Sequence, residues 1–295
     1  MEIFMNAKVL MVQGTSSGAG KSTIVIALCR IFSNLGYKVS PFKAQNMSSN
    51  VLKISKSHSI SRIQAIQAFA ARKELVWQLN PILLVPLGNN LSNVFVSGKF
   101  FEEMTALKYY NEFVLAKGFP IVLDALNKLR NENDIIIIEG AGSPAEINIA
   151  EFDIANMLLA EKVNCPVILV SDIERGGCFA SIFGTIKLLK IKHQRLIKGF
   201  IVNKFRGDEN ILEDAIQFIE RRTKSTNLGV IPKFEFFLPP EDSLDGNNND
   251  NDNPNNLKKF STKKRLNEQI DLVAATIESR INVKFILKKI LKIEH

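Results

Sequence analysis

The stretch Gly14–Ser22, GTSSGAGKS, combines glycines, hydroxyls and one lysine in an order suited to holding phosphate. An apolar run (KVLMVQ) precedes it, and TIVIALCRIF follows with apolar residues at helical spacing. A strand, a glycine-rich turn and a helix N-terminus form a phosphate cradle, because free backbone N–H groups converge there. The N–H groups of Ser17 to Lys21 would wrap a β-phosphate, Lys21 would reach the β/γ oxygens, and Ser22 would ligate Mg²⁺. Gly14, Thr15, Gly18, Gly20 and Thr23 complete the expected nucleotide contacts. One feature departs from the strict pattern. The position five residues before Gly20 is Thr15, and Gly14 lies one residue earlier.

Further chemistry-bearing residues follow other strand-like runs. In SPFKAQNMSSN, Lys43 could neutralise phosphate charge, and Gln45 and Asn46 offer amides; an ordinary polar loop would read the same way. In IIIIEGAGSPAEIN, Glu139 ends an apolar strand, where a carboxylate is costly without a partner; Mg²⁺ beside a phosphate site would be one. The glycines after it allow a ligand close to the backbone. Asp153 and Asn156 share EFDIANM at i, i+3 spacing, so on a helix they face the same way, though Asp153 could equally be an N-cap. SDIERGGCFAS sets Asp172 at a strand end, then Arg175 and Gly176–Gly177, a candidate anion nest with a cation beside it. Asn203, ending IKGFIVN, could read a base edge through its amide.

The elements that must position these residues are legible as an alternation. KVLMVQG, KVSPFK, DIIIIEG, CPVILVSD, IKGFIVNK and NLGVIP read as strands, with helices between most of them at Ser61–Arg72, Phe119–Arg130, Ile154–Lys162 and Ile211–Arg222. This pattern predicts an α/β fold with a mainly parallel sheet between helices, and ligands at the carboxyl ends of its strands. Residues 1–245 form the expected nucleotide-binding domain. Residues 246–256 (GNNNDNDNPNN) are polar and low in complexity, a flexible linker by composition. Within 257–295, Leu266, Ile270, Val273, Ile277 and Ile281 make the stripe of an amphipathic helix, expected to dock on the protein's own body.

Composition narrows the classes. Apolar residues make up 46% of 295, enough for a packed core. The net charge of +8 is concentrated in the tail: ten Lys/Arg face four Asp/Glu between Leu257 and His295. A single Trp77 and three tyrosines give no basic face with aromatic interleaving, so nucleic acid is not an expected partner. No apolar run reaches membrane-spanning length, and Met1–Phe4 lacks a secretory layout. Cys29, Cys165 and Cys178 lie far apart with no CxxC, which fits buried thiols in a reducing cytoplasm.

Together the words PFKAQNMS, EGAGSPAEIN, DIANM, ERGGCFASIFGT, NKFRGD and LPPEDSL resemble the synthetase half of the cobyric acid synthase family, over about Lys8 to Asp245. That family is similar to dethiobiotin synthetase, whose nucleotide loop carries the same offset and so accounts for Thr15. The resemblance implies ATP and Mg²⁺ as cofactors and amidation of a corrinoid side-chain carboxylate through an acyl phosphate. It implies Lys21, Ser22 and Glu139 at the phosphates and metal, and Lys43 at the transferring phosphoryl group. Asp153 would serve the carboxylate or ammonia end, and Asn203 the adenine. Gln45, Asn46, Asn156 and Arg175 are read as substrate contacts.

There are departures from the family pattern. Gly18 stands where the family has Asp, Ser59 where it has Glu, and Val85 where it has Lys. Family members also continue into a glutaminase domain with a Cys nucleophile and a downstream His. Only His193 and His295 follow Cys165 and Cys178, so the expectation is ammonia from solution or from a separate glutaminase subunit. The tail resembles the family's extreme C-terminal helix. Two rival classes are a nucleotide-binding remnant acting as a scaffold or regulator, and a partitioning-type ATPase switch that dimerises around ATP. The latter carries an extra lysine early in its loop, where this chain has Ser16 and Ser17. A homodimer is compatible with any of the three.

Overall fold

A computed structural model describes residues 7–238 and 263–293. Proposals for 246–256 fall outside these residues, as does most of LPPEDSL. Six parallel strands form the central sheet: β1 (Lys8–Gly14), β2 (Val39–Phe42), β9 (Ile135–Glu139), β10 (Val167–Asp172), β11 (Ile197–Phe205) and β12 (Thr226–Pro232), in the order β12-β11-β10-β1-β9-β2. These are the six apolar runs read from sequence. Side chains alternate across the sheet: Val9 and Met11 enter one core with Ile136 and Ile138, while Leu10 and Val12 enter the other with Ile135 and Ile137. Both faces are dry, which is why the strands are apolar throughout rather than alternating.

Register brings the chemical residues to one edge. Val12 pairs with Glu139, Gly14 with Val170, and Asp172 with Asn203, so the phosphate loop, both carboxylates and the amide leave the sheet at its carboxyl end. Helix α1 (Lys21–Asn34) starts directly from the loop. It is buried on nearly every side because α2 (Arg62–Ala70) and α9 (Lys263–Glu278) pack on it. Ile270, Val273, Ile277 and Ile281 lie in the core, with Leu266 packed against it. The buried Arg30 of α1 donates to Asn267 Oδ1 at 2.8 Å and lies 3.5 Å from Asp271.

A second sheet, between β2 and β9 in sequence, lies outside the apolar-run pattern. It contains β3 (Gln45–Met47), β6 (Ile82–Gly88), β7 (Leu91–Val96) and β8 (Lys99–Thr105), with a small hairpin of β4 (Val51–Lys53) and β5 (Ser59–Ser61) beside it. Two-residue turns close its hairpins at Asn89–Asn90 (φ 51° and 60°) and Ser97–Gly98 (φ 51° and 78°). Left-handed dihedrals at both central positions match the twist of antiparallel strands. After it in the chain, α3 (Ala106–Lys108), a ten-residue π-helix at Tyr109–Gly118 and α4 (Phe119–Glu132) lead into β9.

The remaining α-helices among the described residues are α5 (Met157–Lys162), α6 (Cys178–Leu188), α7 (Ile191–Gln194), α8 (Glu213–Thr223) and α10 (Val283–Phe285). Helix α5 starts three residues later than expected, because Asn156 has φ −122° and ψ −104° and Asp153 has ψ 71°, neither helical. The i, i+3 relation of Asp153 and Asn156 is therefore that of a turn. All three cysteines are free and buried, and burial raises each thiol above its usual range.

Candidate active site

The centre of the site is Glu139, fully buried at the end of β9. Its Oε1 accepts from Ser22 Oγ at 2.9 Å and from Lys43 Nζ at 2.8 Å, and its Oε2 accepts from Gln67 Nε2. A buried carboxylate without such donors would be strongly destabilising. Lys43, itself 2% exposed, supplies the compensating charge. Lys21 Nζ donates to Ser16 O and Gly142 O, each at 3.1 Å, so the loop lysine spans the turns after β1 and β9.

The loop needs its glycines at particular points. Gly18 (φ 70°) and Gly20 (φ 103°) are left-handed, and a Cβ on Gly20 would lie 2.1 Å from Asn203 Nδ2. That amide donates to Ala19 O at 2.9 Å, so Asn203 buttresses the loop. Lys204 Nζ ties Gly18 O to Asp172 Oδ2, each at 2.8 Å. Thr15 Oγ1 is 2.9 Å from Ser171 Oγ, so the offset residue pins the loop to β10 through its side chain. Ser17 is exposed at the loop crest and Thr23 half-buried in the first turn of α1.

Asp153 lies beside the turn after β9. Its Oδ1 accepts from the backbone N–H of Asn156 at 3.0 Å and from Asn156 Nδ2 at 3.1 Å; the same Nδ2 donates to Ala141 O at 2.6 Å. Burial raises the Asp153 carboxyl to about 6, against the lowering effect of the Asn156 hydrogen bonds. Asn156 Oδ1 and Gln13 Oε1 are buried acceptors without a hydrogen-bond donor among the described residues. Both side chains flank Gly140, where a Cβ would come within 2.2 Å of Asn156 Oδ1 and 3.1 Å of Gln13 Cγ.

The structure thus gathers Ser22, Lys43 and Glu139 into one cluster, with Lys21 reaching from the start of α1 to the turn after β9. Asp153 and Asn156 stand on the adjoining turn, and Asn203 lies under the loop. Gln45 and Asn46 start the second sheet; Gln45 Oε1 accepts from Tyr109 O–H at 2.7 Å. Arg175 is exposed, beside left-handed Gly176 and Gly177. Ser59 and Val85 are half-buried, in β5 and β6. Sequence reasoning missed Gln64 and Gln67, whose signal was two amides three residues apart in a helix, RIQAIQAFA, that is otherwise apolar after Arg62.

Among the described residues no group of three or more His, Cys, Asp or Glu side chains is placed to hold a metal ion. Ser22 and Glu139 do fit magnesium: both offer hard oxygen donors, 2.9 Å apart, beside a phosphate cradle that would supply the rest. No helix among the described residues is long and apolar enough to cross a membrane.

A parallel sheet with a glycine-rich loop, a loop lysine and a hydroxyl on a buried acidic strand end defines a P-loop nucleotide-binding protein. Residues 10–238 match the CobQ/CobB/MinD/ParA nucleotide binding domain, and the chain belongs to that family. It is similar to a probable cobyric acid synthase of Thermococcus kodakarensis, 51% identical over 240 residues, 80% of this chain and 49% of that one. A cobyric acid synthase of Desulfitobacterium hafniense is 46% identical over 236 residues, 80% of this chain and 46% of that one. The chain thus spans about half the length of the curated relatives it matches. Among solved structures, the signal recognition particle receptor FtsY from Elizabethkingia anophelis, in complex with GDP, is 14% identical with a TM-score of 0.48, over 81% of this chain and 62% of that one.

Proposed function

We propose that this domain is an ATP-dependent amide ligase that activates a corrinoid side-chain carboxylate as an acyl phosphate and hands it to ammonia. The observation that carries the reading is the convergence of Ser22 and Lys43 on one oxygen of buried Glu139, next to the loop lysine. Phosphoryl transfer asks the protein mainly for positioning and charge neutralisation, and this cluster offers both. Ser22 and Glu139 would hold Mg²⁺, which supplies charge neutralisation at the phosphates when bound. Lys21 and Lys43 would stabilise the γ-phosphoryl as its bond to ADP breaks and its bond to the substrate carboxylate forms. Ammonia then forms the C–N bond, phosphate leaves with the C–O electron pair, and Asp153 takes up a proton. A carboxyl poised at about 6 is basic enough for that and still largely ionised at neutral pH. Asn203 would hold the loop and meet the base; Gln45, Asn46, Asn156 and Arg175 would meet the corrinoid. Ammonia would come from solution or from a separate glutaminase subunit, and the protein would act in the cytoplasm.

The test is mass spectrometry of cobyrinic acid a,c-diamide after incubation with the protein, ATP, Mg²⁺ and ammonium. Gains of one amide per carboxylate, with ADP formed, are expected; ATP binding without any amide gain would overturn the reading. The latter result would favour a nucleotide-binding subunit without ligase activity. Val85 and Ser59, uncharged at positions where the family carries Lys and Glu, support that second reading.

A further inference from the structure

Behind the cluster runs a buried file of amides. Asn46 Nδ2 donates to Gln64 Oε1 at 3.2 Å, Gln64 Nε2 donates to Gln67 Oε1 at 3.1 Å, and Gln67 Nε2 donates to Glu139 Oε2. Asn46 is 2% exposed, and Gln64, Gln67 and Glu139 are 0%. The file crosses three units: β3 of the second sheet, α2, and the end of β9 in the central sheet. We infer that Gln64 and Gln67 are positioning residues which orient Glu139 toward the metal and couple it to the corrinoid side of the site through Asn46. The inference rests on the Mg·ATP reading above.

The chemistry of the amide sets the argument. A carboxamide accepts only through oxygen and donates only through nitrogen, so this file has a direction, with one N–H of each amide pointing toward the carboxylate. Turning one amide over would set donor against donor and oxygen against oxygen. Each buried group left unsatisfied is costly, and an ionised carboxylate only accepts, so the file is fixed in this direction. It passes no proton, because neutral amides neither gain nor lose one near neutral pH. It conveys orientation. Oε2 of Glu139 is held by Gln67, and Oε1 is left for Ser22 and Lys43. Partners that orient a metal-binding carboxylate ordinarily matter about tenfold or more to metal affinity. At the other end, β3 carries Asn46 beside Gln45, whose amide is held by Tyr109. A substrate that shifts β3 therefore pulls on the first link of the file.

The variants are Gln67→Met and Gln64→Met, close in shape and unable to donate the next hydrogen bond of the file, together with Asn46→Ala. A fluorescent ATP analogue is titrated with and without Mg²⁺, alongside thermal melts. Gln67→Met should weaken Mg²⁺ about tenfold in the ternary complex and leave metal-free nucleotide affinity unchanged. Gln64→Met should shift it in the same direction by less. Should Gln67→Met fail to fold, Gln64→Met carries the test. Asn46→Ala should weaken Mg²⁺ in the wild-type background and have no further effect once Gln67→Met has cut the file. A lower melting temperature with unchanged Mg²⁺ affinity would make the amides structural and overturn the inference. Additive effects of Asn46→Ala and Gln67→Met would overturn the coupling. Wild-type protein that binds the analogue indifferently to Mg²⁺ would instead sink the Mg·ATP reading, and this inference with it.

Discussion

Lys43 Nζ lies 2.8 Å from Glu139 Oε1, although 96 residues separate them and both side chains are almost wholly buried. The pair joins the end of β9 to the turn after β2, an edge strand of the central sheet. Opposite charges this deep are worth keeping only when hydrogen bonds satisfy the remaining lone pairs, as Ser22 and Gln67 do here.

Removing one partner should therefore be worse than removing both. Lys43→Met leaves an uncompensated buried carboxylate and should cost about 3–5 kcal/mol in urea unfolding. Lys43→Met combined with Glu139→Gln should recover most of that stability. On the proposed mechanism neither protein should turn over ATP, since both lack Lys43, the cation proposed for the transferring phosphoryl group. Equal stability of the single and double variants would contradict the pairing.

The Asp153 carboxyl sets a pH dependence whose direction follows from its burial. Folded, it holds its proton to about 6; unfolded, it loses it near the ordinary value of 3.8. Between those values the native state binds the extra proton. Stability should fall as pH rises through that window and stay level above it, a loss of about 3 kcal/mol from this group. Asp153→Asn should abolish that slope, so that its stability relative to wild type rises from pH 4 to about pH 6 and is level above. Parallel stability curves for the two proteins would place the carboxyl elsewhere on the scale. Amide formation should be lost in the same variant.

Two glycines guard the site against side chains. Gly20→Ala puts a Cβ 2.1 Å from Asn203 Nδ2 at a left-handed φ of 103°, and should cost about 1–3 kcal/mol and weaken nucleotide binding. Gly140→Ala meets Asn156 Oδ1 at 2.2 Å and should reduce amide formation while nucleotide binding persists, because the phosphate loop is untouched. Isothermal titration with ATP separates the two. Equal losses of ATP affinity would mean that the turns after β1 and β9 do not act separately.

What could be read from the sequence follows from which signals are local. Each central strand is a short apolar run because both of its faces are covered, and that requirement is written into the run itself. Glu139 stood out because a carboxylate ending such a run demands a partner. The second sheet did not stand out. Its strands are half exposed, one contains Pro86, and its turns use Asn89–Asn90 and Ser97–Gly98, a weaker signal than Asn-Gly. Gln64 and Gln67 look like the polar face of a surface helix until α2 is seen to be packed on both sides. Contacts such as Tyr109 with Gln45 depend on how the second sheet lies against the first, which no short window of sequence carries.

Helix α9 should behave as part of the core. Ile270, Val273 and Ile277 of α9 are fully buried against α1, the helix that begins at the phosphate loop. Ile277→Ala removes methylenes from a packed interior and should cost about 2–5 kcal/mol in urea unfolding. Ile211→Ala, at a side chain 73% exposed, should stay within about 0.5 kcal/mol and serves as the control. Arg30→Met loses the hydrogen bond to Asn267 and the pairing with Asp271, leaving two polar groups of α9 facing an apolar side chain. Because α1 carries Lys21 and Ser22 at its start, loosening α9 should also weaken ATP binding in proportion to the lost stability. An Ile277→Ala protein with wild-type unfolding would mean that α9 does not pack on α1 in solution.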